Sequence, residues 1–393
     1  MASGDDADRG TVASEVQGAE NPPSGEPGSP RGLTAHMWAS IGLGTLIGAL
    51  FTWLFVSRLD LETLRTLPAR LDYRFVALAT VVYLLEFLFR AVRWQILLAP
   101  LKPVSLGRIL SVTFIGFMAN SLLPARAGEL VKPWVGARHF RIPFSSVLVT
   151  AVTERVFDLL GLLSLLVIMT ISIWAGGSGN ASPALVLWLE RSGAVLGAIG
   201  MAALGALFLL ASRETWARSL FHRFSSHLPG PIERTANRVY DGLAAGLAAF
   251  HSPRGPLLAA AWSIAVWANG ALAIWIMSGA FAFRLPFAGA CFVGLWLAIA
   301  VSVPQAPGFI GVWQFAVSTT LIAWGAPEGE AQAFAIVFWL LNFGPATAIG
   351  LVCVWHQGLS LRKVLVNAPQ PDPRPDDGPR HPAVKPQEDR HRP

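Results

Sequence analysis

The chain has 393 residues, 53% of them hydrophobic and only 14% charged, with 15 Trp and a mean hydropathy of +0.51. A soluble domain carries about a quarter charged residues, so this composition excludes a water-soluble globular protein and points to an integral membrane one. The formal charge of +6 falls between apolar runs, which assigns it to helix orientation and lipid headgroups rather than to nucleic acid.

In chain order, residues 1–35 are rich in Gly, Pro, Ser and acids without an apolar run, and are expected to form a disordered tail. They lack the basic patch and apolar core of a cleaved signal, so the first apolar segment is expected to remain as an anchor. Runs near the length of about 20 residues that crosses a bilayer predict spans at 37–56, 75–94, 157–176, 193–212, 256–279, 287–303 and 331–355. Residues 36–360 then form one membrane domain, and the Pro-rich residues 361–393 a second tail. The expected fold is all-α: a polytopic integral membrane protein with about seven full transmembrane helices plus re-entrant half-helices, arranged as an inverted repeat.

Arg213, Arg218, Arg223, Arg234, Arg238 and Arg254 fill one long connection, whereas 177–192 carries only Glu190 and Arg191. Positive charge marks the cytoplasmic side, as do Arg362 and Lys363 after the last span, so both termini are expected on the cytoplasmic side of a cell membrane and the acidic "PEGE" at 327–330 outside. This parity leaves 109–123 and 144–153 between two cytoplasmic points. Both are expected to enter from the cytoplasm, stop partway and return. In the second half, Pro304, Pro307, Gly308 and Gly311 break "VSVPQAPGFIGVWQ", so 287–303 descends from outside and 309–324 climbs back. Breaks in corresponding places that open to opposite sides point to a transport site near the midplane, because irregular backbone survives there only when buried or lining a cavity. Two ordinary Pro kinks would use the same residues.

Charges mark the same regions. Glu154, Arg155 and Asp158 lie within an apolar run, where each would cost roughly 2.5–3.5 kcal/mol at the helix centre. Glu154 and Asp158 share a helical face and Arg155 stands three before Asp158, which allows either a polar cavity wall or an internally paired structural cluster. Glu86, Arg90 and Arg93 form one stripe ending in the interfacial Trp94. Guanidinium forks suit a phosphate, and snorkelling to the interface is the plainer alternative. Arg126, Glu129 and Lys132 follow Pro124, where a half-helix would stop. An anion is the natural guest, with Glu129 orienting Arg126 and with Lys132 and Arg155 free for a headgroup. Cys291 and Cys353 sit in apolar runs, so no disulfide, metal site or cofactor is expected, and no phosphate-binding Gly-x-x-x-x-Gly-Lys-Ser/Thr loop occurs.

Four segments in order, "RAVRWQILLAP", "GFMANSLLPARAGELVKPW", "TERVFDLLGLL" and "VPQAPGFIGVWQ", resemble the transmembrane domain shared by lysylphosphatidylglycerol synthases and stand-alone flippase-like membrane proteins, over roughly 37–360. The resemblance implies a helical domain with re-entrant segments that moves a phospholipid or modified lipid between leaflets. It places the family's central motif on Asn120, Arg126, Gly128 and Glu129 and its acid-Arg-acid set on Glu154, Arg155 and Asp158. It also singles out Pro307, Gly308 and position 314, where Gln314 replaces the usual acidic residue. The synthases' aminoacyl-transferase chemistry is expected to be absent.

Three functions compete at this stage. The first is a lipid translocator whose partner is a membrane phospholipid or lipid-linked substrate, with a second copy of the chain as a candidate protein partner. The second is a membrane glycosyltransferase using a lipid-linked sugar, on the acid pair Asp60 and Glu62. The third is a non-transporting lipid-binding protein that uses the basic 213–254 connection as an amphipathic surface element.

Overall fold

The computed structural model describes residues 35–123, 126–173, 254–302 and 306–359, with a few isolated positions besides. The backbone divides into units Met1–Ala39 and Ser40–Pro393. In the first unit only the opening turn of one helix is described, and everything below concerns the second. The described elements are α1 (Ala35–Val56), α2 (Leu61–Arg70), α3 (Tyr73–Leu98), α4 (Leu106–Leu122), α5 (Gly128–Phe140) and α6 (Phe144–Ser172), then α7 (Arg254–Ser278) and α8 (Phe287–Ala300). A 3-10 turn (Pro307–Phe309), α9 (Val312–Ala323) and α10 (Glu328–His356) follow. The protein is an all-α polytopic membrane protein.

Four described helices, α3, α6, α7 and α10, are long and apolar enough to cross a membrane, and Gly44–Val56 with Leu61–Arg70, bent by 79°, makes a fifth candidate. The helices keep large apolar side chains on their outer surfaces, Trp355 at 79% exposure among them, as a lipid solvent requires. Apart from isolated positions and Arg254, which opens α7, the expected span at 193–212, the 213–254 connection and nearly all of both tails lie outside the described residues.

Two corrections to the sequence expectations concern the re-entrant parts. Residues 144–153 are no separate half-helix: they open the continuous 29-residue α6, which absorbs the expected span at 157–176. No proline interrupts that run, and its charges find partners on other helices, so nothing ends the helix at Glu154. The returning partner of α4 is instead α5, folded from residues expected to carry only the motif's charges. The segment expected as a span at 287–303 is the 14-residue α8, and 312–323 forms the 12-residue α9. At about 1.5 Å per residue none of α4, α5, α8 and α9 reaches the roughly 30 Å hydrocarbon thickness.

Local chemistry makes both hairpins. Leu123 precedes Pro124 and is extended (ψ 145°), which ends α4. Gly116 packs against Lys132, and Gly128 against the Gly116 carbonyl and Asn120, so α4 and α5 run antiparallel at a separation that leaves no room for a Cβ at Gly128. In the second hairpin Gly311 (φ 88°) supplies the left-handed turn before α9. Phe292 of α8 lies 6.2 Å from Trp324 just beyond α9, again antiparallel.

The α4–α5 and α8–α9 hairpins approach α10 from opposite ends. Gln357 Nε2 donates to Ser111 Oγ at 2.6 Å, and Gly350 packs on Met118 and Phe114 of α4. Toward the other end Trp313 meets Phe338 at 5.4 Å, and Phe281, just before α8, meets Phe334 at 5.2 Å. The tips meet beside the middle of α10, where Trp339 Nε1 donates to the Gly308 carbonyl at 2.7 Å. One end of the bundle is tied by α2: Arg70 pairs with Glu330 at 3.3 Å, Gln332 accepts the Asp60 N–H at 2.9 Å, and the Asp72 N–H reaches the Ala280 carbonyl at 3.3 Å. This α2 end therefore collects the starts of α3, α8 and α10 and the end of α7.

Candidate functional site

A cavity of about 400 Å³ opens where the two hairpin tips meet. Its depth follows from helix bounds. The middle residue of α3 falls beside Glu86, that of α6 is Asp158, that of α7 is Val266 and that of α10 is Asn342, and all four line the cavity. The cavity thus lies level with the middle of all four long apolar helices.

One side of the lining is ionic. Glu86 and Arg90 come from α3, Arg126 and Glu129 from the start of α5, and Arg155 and Asp158 from α6. Arg90 Nη2 donates to Glu86 Oε1 at 2.6 Å, and Arg155 Nη1 lies 3.1 Å from Asp158 Oδ2. Glu129 is shared, with Oε1 3.0 Å from Arg126 Nη2 and Oε2 3.3 Å from Arg155 Nε. Arg126 adopts a left-handed backbone (φ 56°) and its Nη1 donates to the Val301 carbonyl at 3.2 Å, so this one side chain joins the tips of both hairpins. Asn120 Oδ1, Arg126 Nε and Trp313 Nε1 belong to cavity-lining residues, are buried, and have no hydrogen-bond partner among the described residues. Such atoms are costly to leave unpaired, and a ligand is one way to satisfy them.

Behind this lining lies a second cluster that does not reach the cavity. Arg93 is fully buried, its Nη1 donating to Asp158 Oδ1 and to Ser263 Oγ, each at 2.7 Å, with Glu154 3.5 Å from Nη2. Lys132 donates to Glu154 Oε2 and sits 4.1 Å over the Trp94 ring, whose Nε1 donates to Thr150 Oγ1 at 3.0 Å. A buried charge persists only when paired, and here each cation meets a carboxylate. Asp158 touches both clusters and joins them.

A family model described as the lysylphosphatidylglycerol synthase TM region matches residues 41–350. The chain belongs to that family. It is 26% identical over 359 residues to "Glycosyltransferase AglD" of Haloferax volcanii, covering 84% of this chain and 55% of that protein. The chain therefore spans about half the length of that relative. It is 24% identical over 320 residues to a "UPF0104 membrane protein" of Methanothermobacter thermautotrophicus, covering 78% of this chain and 89% of that one. A "UPF0104 membrane protein PH1989" of Pyrococcus horikoshii is 22% identical over 346 residues, covering 82% and 96%. No solved structure matches.

In this lysylphosphatidylglycerol synthase TM-region protein, the sequence-selected residues separate into three groups. Arg90, Asn120, Arg126, Glu129, Arg155 and Asp158 line one cavity. Arg93, Lys132 and Glu154 form the buried cluster behind it, so neither Arg93 nor Lys132 snorkels or stands free for a headgroup. Pro307, Gly308 and Gln314 build the second break: Gly308 takes φ 66° in the turn, and Gln314 Oε1 accepts the Gly311 N–H at 2.8 Å, capping α9. Asp60 caps α2, with Oδ1 accepting the Glu62 and Thr63 N–H groups and Oδ2 the Thr63 hydroxyl at 2.6 Å. The Thr63 hydrogen bonds hold this carboxyl below its usual range. Both oxygens of the proposed sugar-transfer acid are thus engaged locally. Asn342 and Trp267 line the cavity without having been selected; a lone Asn at the centre of "FWLLNFGPA" was the signal available for the first.

Proposed function

We propose that the protein translocates a lipid with an anionic headgroup between leaflets, binding the headgroup at Arg126 and Arg155 with Arg90 behind them. The observation that carries this reading is the meeting of two opposed re-entrant hairpins on an ionic, half-depth cavity. Arg155, with 44% of its side chain exposed near mid-membrane, needs a water-filled or headgroup-filled neighbour, since lipid tails cannot solvate it. The half-helices α5 and α9 both begin at the tips, so their positive dipole ends favour the same charge. Because the ionic side chains are already paired with one another, a phosphate enters by exchange: it takes over Arg126 and Arg155 while Glu129 swings away. That exchange would loosen the Arg126 link to Val301 and couple loading to movement of the second hairpin. On the charge-based orientation, the α2 end faces outward, the α4–α5 hairpin opens to the cytoplasm and both termini are cytoplasmic.

The test is leaflet exchange of fluorescent anionic lipids, one with a single chain and one with two, in vesicles containing the purified protein. Arg126→Ala and Arg155→Ala should each reduce the rate at least tenfold while the protein stays folded, and wild-type rates in both would overturn the assignment. A second reading, sugar transfer from a lipid-linked donor, draws on the name of the Haloferax volcanii relative. It requires Asp60 to act as a base although its oxygens are held by Thr63 and Glu62. Loss of glycosyl transfer in Asp60→Asn, with leaflet exchange unchanged, would favour it.

A further inference from the structure

The cavity continues past its ionic side into an apolar lobe that a headgroup alone does not explain. Leu162, Leu165, Ile274, Leu297, Trp313 and Phe338 line it. Five of them lie on the α2 side of the mid-helix residues. Leu162 and Leu165 follow Asp158 along α6, Ile274 follows Val266 toward the end of α7, Leu297 precedes the α8–α9 break, and Phe338 precedes Asn342. Along α6 the lobe runs about 9 Å from Leu159 to Leu165. Its interior keeps Gly294 where a larger residue would enter: a Cβ there would meet only Leu165 and Ile274, at 3.6 and 3.7 Å.

We infer that this lobe is a binding subsite for one hydrocarbon chain, and that the ligand is a single-chain amphiphile with a phosphate headgroup. The inference rests on the translocation reading and adds a place for the lipid's chain. A headgroup passing alone would need a charged or polar path, whereas here the charged groups stop at mid-depth and mostly apolar side chains continue. The volume selects one chain: about 400 Å³ is near the low end of the roughly 300–1,000 Å³ typical of small-ligand pockets. It takes a headgroup with the proximal part of one chain. The bound molecule has its charge at mid-depth and its chain toward the α2 end. That is the orientation of a lipid from the leaflet on the α4–α5 side. Bilayer tails are as apolar as the lobe, so entry is driven by fit and not by the hydrophobic effect.

The test is photo-crosslinking of the full-length protein in lipid nanodiscs, at equal mole fraction, with three probes that carry a diazirine in the chain: a polyprenyl phosphate, a lysophosphatidic acid and a two-chain phosphatidic acid. Equal mole fraction removes membrane partitioning as a variable. The single-chain probes should label α6, α7 and α8 peptides containing Leu162, Ile274 or Leu297, and the two-chain probe should do so at least tenfold less. Which single-chain probe labels more strongly identifies an isoprenoid or an acyl source. Gly294→Leu, which fills the lobe, should remove this labelling. Should that variant fail to fold, competition in the wild-type protein by alkyl phosphates of increasing chain length should strengthen up to the length of the lobe and then level off. Equal labelling by the two-chain probe, labelling confined to lipid-facing positions such as Leu85, or competition independent of chain length overturns the inference. Any of these together with normal leaflet exchange removes the chain subsite and leaves translocation standing, while loss of exchange in Arg126→Ala is read separately.

Discussion

Asp158 offers the sharpest separation between the two ionic clusters. Its Oδ1 lies 2.7 Å from Arg93 Nη1 and its Oδ2 3.1 Å from Arg155, with Arg90 at 3.9 Å, and the Arg93 side chain is fully buried. Removing one member of a buried pair strands the other, at a cost of about 3–5 kcal/mol. Glu129 also contacts two arginines, but 31% of its side chain is exposed, and such pairs contribute about 0–1 kcal/mol. Asp158→Ala should therefore lower stability by about 2–5 kcal/mol more than Glu129→Ala, the difference between those ranges. Replacing the pair together, as Arg93→Met with Asp158→Leu, should recover most of the loss, because the stranded charge is gone. The assay is reversible unfolding in mixed micelles by SDS titration, followed by Trp fluorescence. Equal stability of Asp158→Ala and Glu129→Ala, or a double variant as unstable as Asp158→Ala alone, would refute the argument.

Three further outcomes follow from local geometry. Gly161→Ala places a Cβ against the Trp267 indole, so it should cost about 1–3 kcal/mol in the same titration and disturb the cavity wall. Gln314→Ala removes the acceptor for the Gly311 N–H and should cost about 1 kcal/mol in that titration. Asp60→Asn preserves a capping oxygen and should leave stability within about 0.5 kcal/mol, while Asp60→Ala should lose roughly 1 kcal/mol; leaflet exchange should be unchanged in both.

Much of the candidate site was legible in the sequence because charges in a membrane helix are conspicuous. Glu154, Arg155 and Asp158 stand out in a long apolar run, and helical spacing alone puts Arg155 within reach of Asp158, as the 3.1 Å pair bears out. The two breaks were legible too, since proline and glycine act through their own backbone chemistry: Leu123 is extended before Pro124, and Gly308 and Gly311 take positive φ. Periodicity could not say which cations face the cavity. Arg90 and Arg93 are three apart on one stripe, yet the first lines the cavity and the second is enclosed by Asp158, Glu154 and Ser263 from two other helices.

The sequence by itself determined that the chain lives in a membrane, that it is helical, that it is interrupted near 124 and 304, and which side chains are too costly to be incidental. Each of these depends on the chemistry of one residue or on near neighbours along the chain. Only the tertiary structure decided that 144–153 continues into α6 while 128–140 turns back, because pairing of Glu154 with Lys132 and of Asp158 with Arg93 makes the unbroken helix tolerable. It alone brought the two breaks together through Arg126 and Val301, 175 residues apart, and placed an apolar lobe beside an ionic one. Contacts between distant segments are set by packing against a shared helix, here α10, and packing of that kind leaves no periodic trace in either segment's sequence.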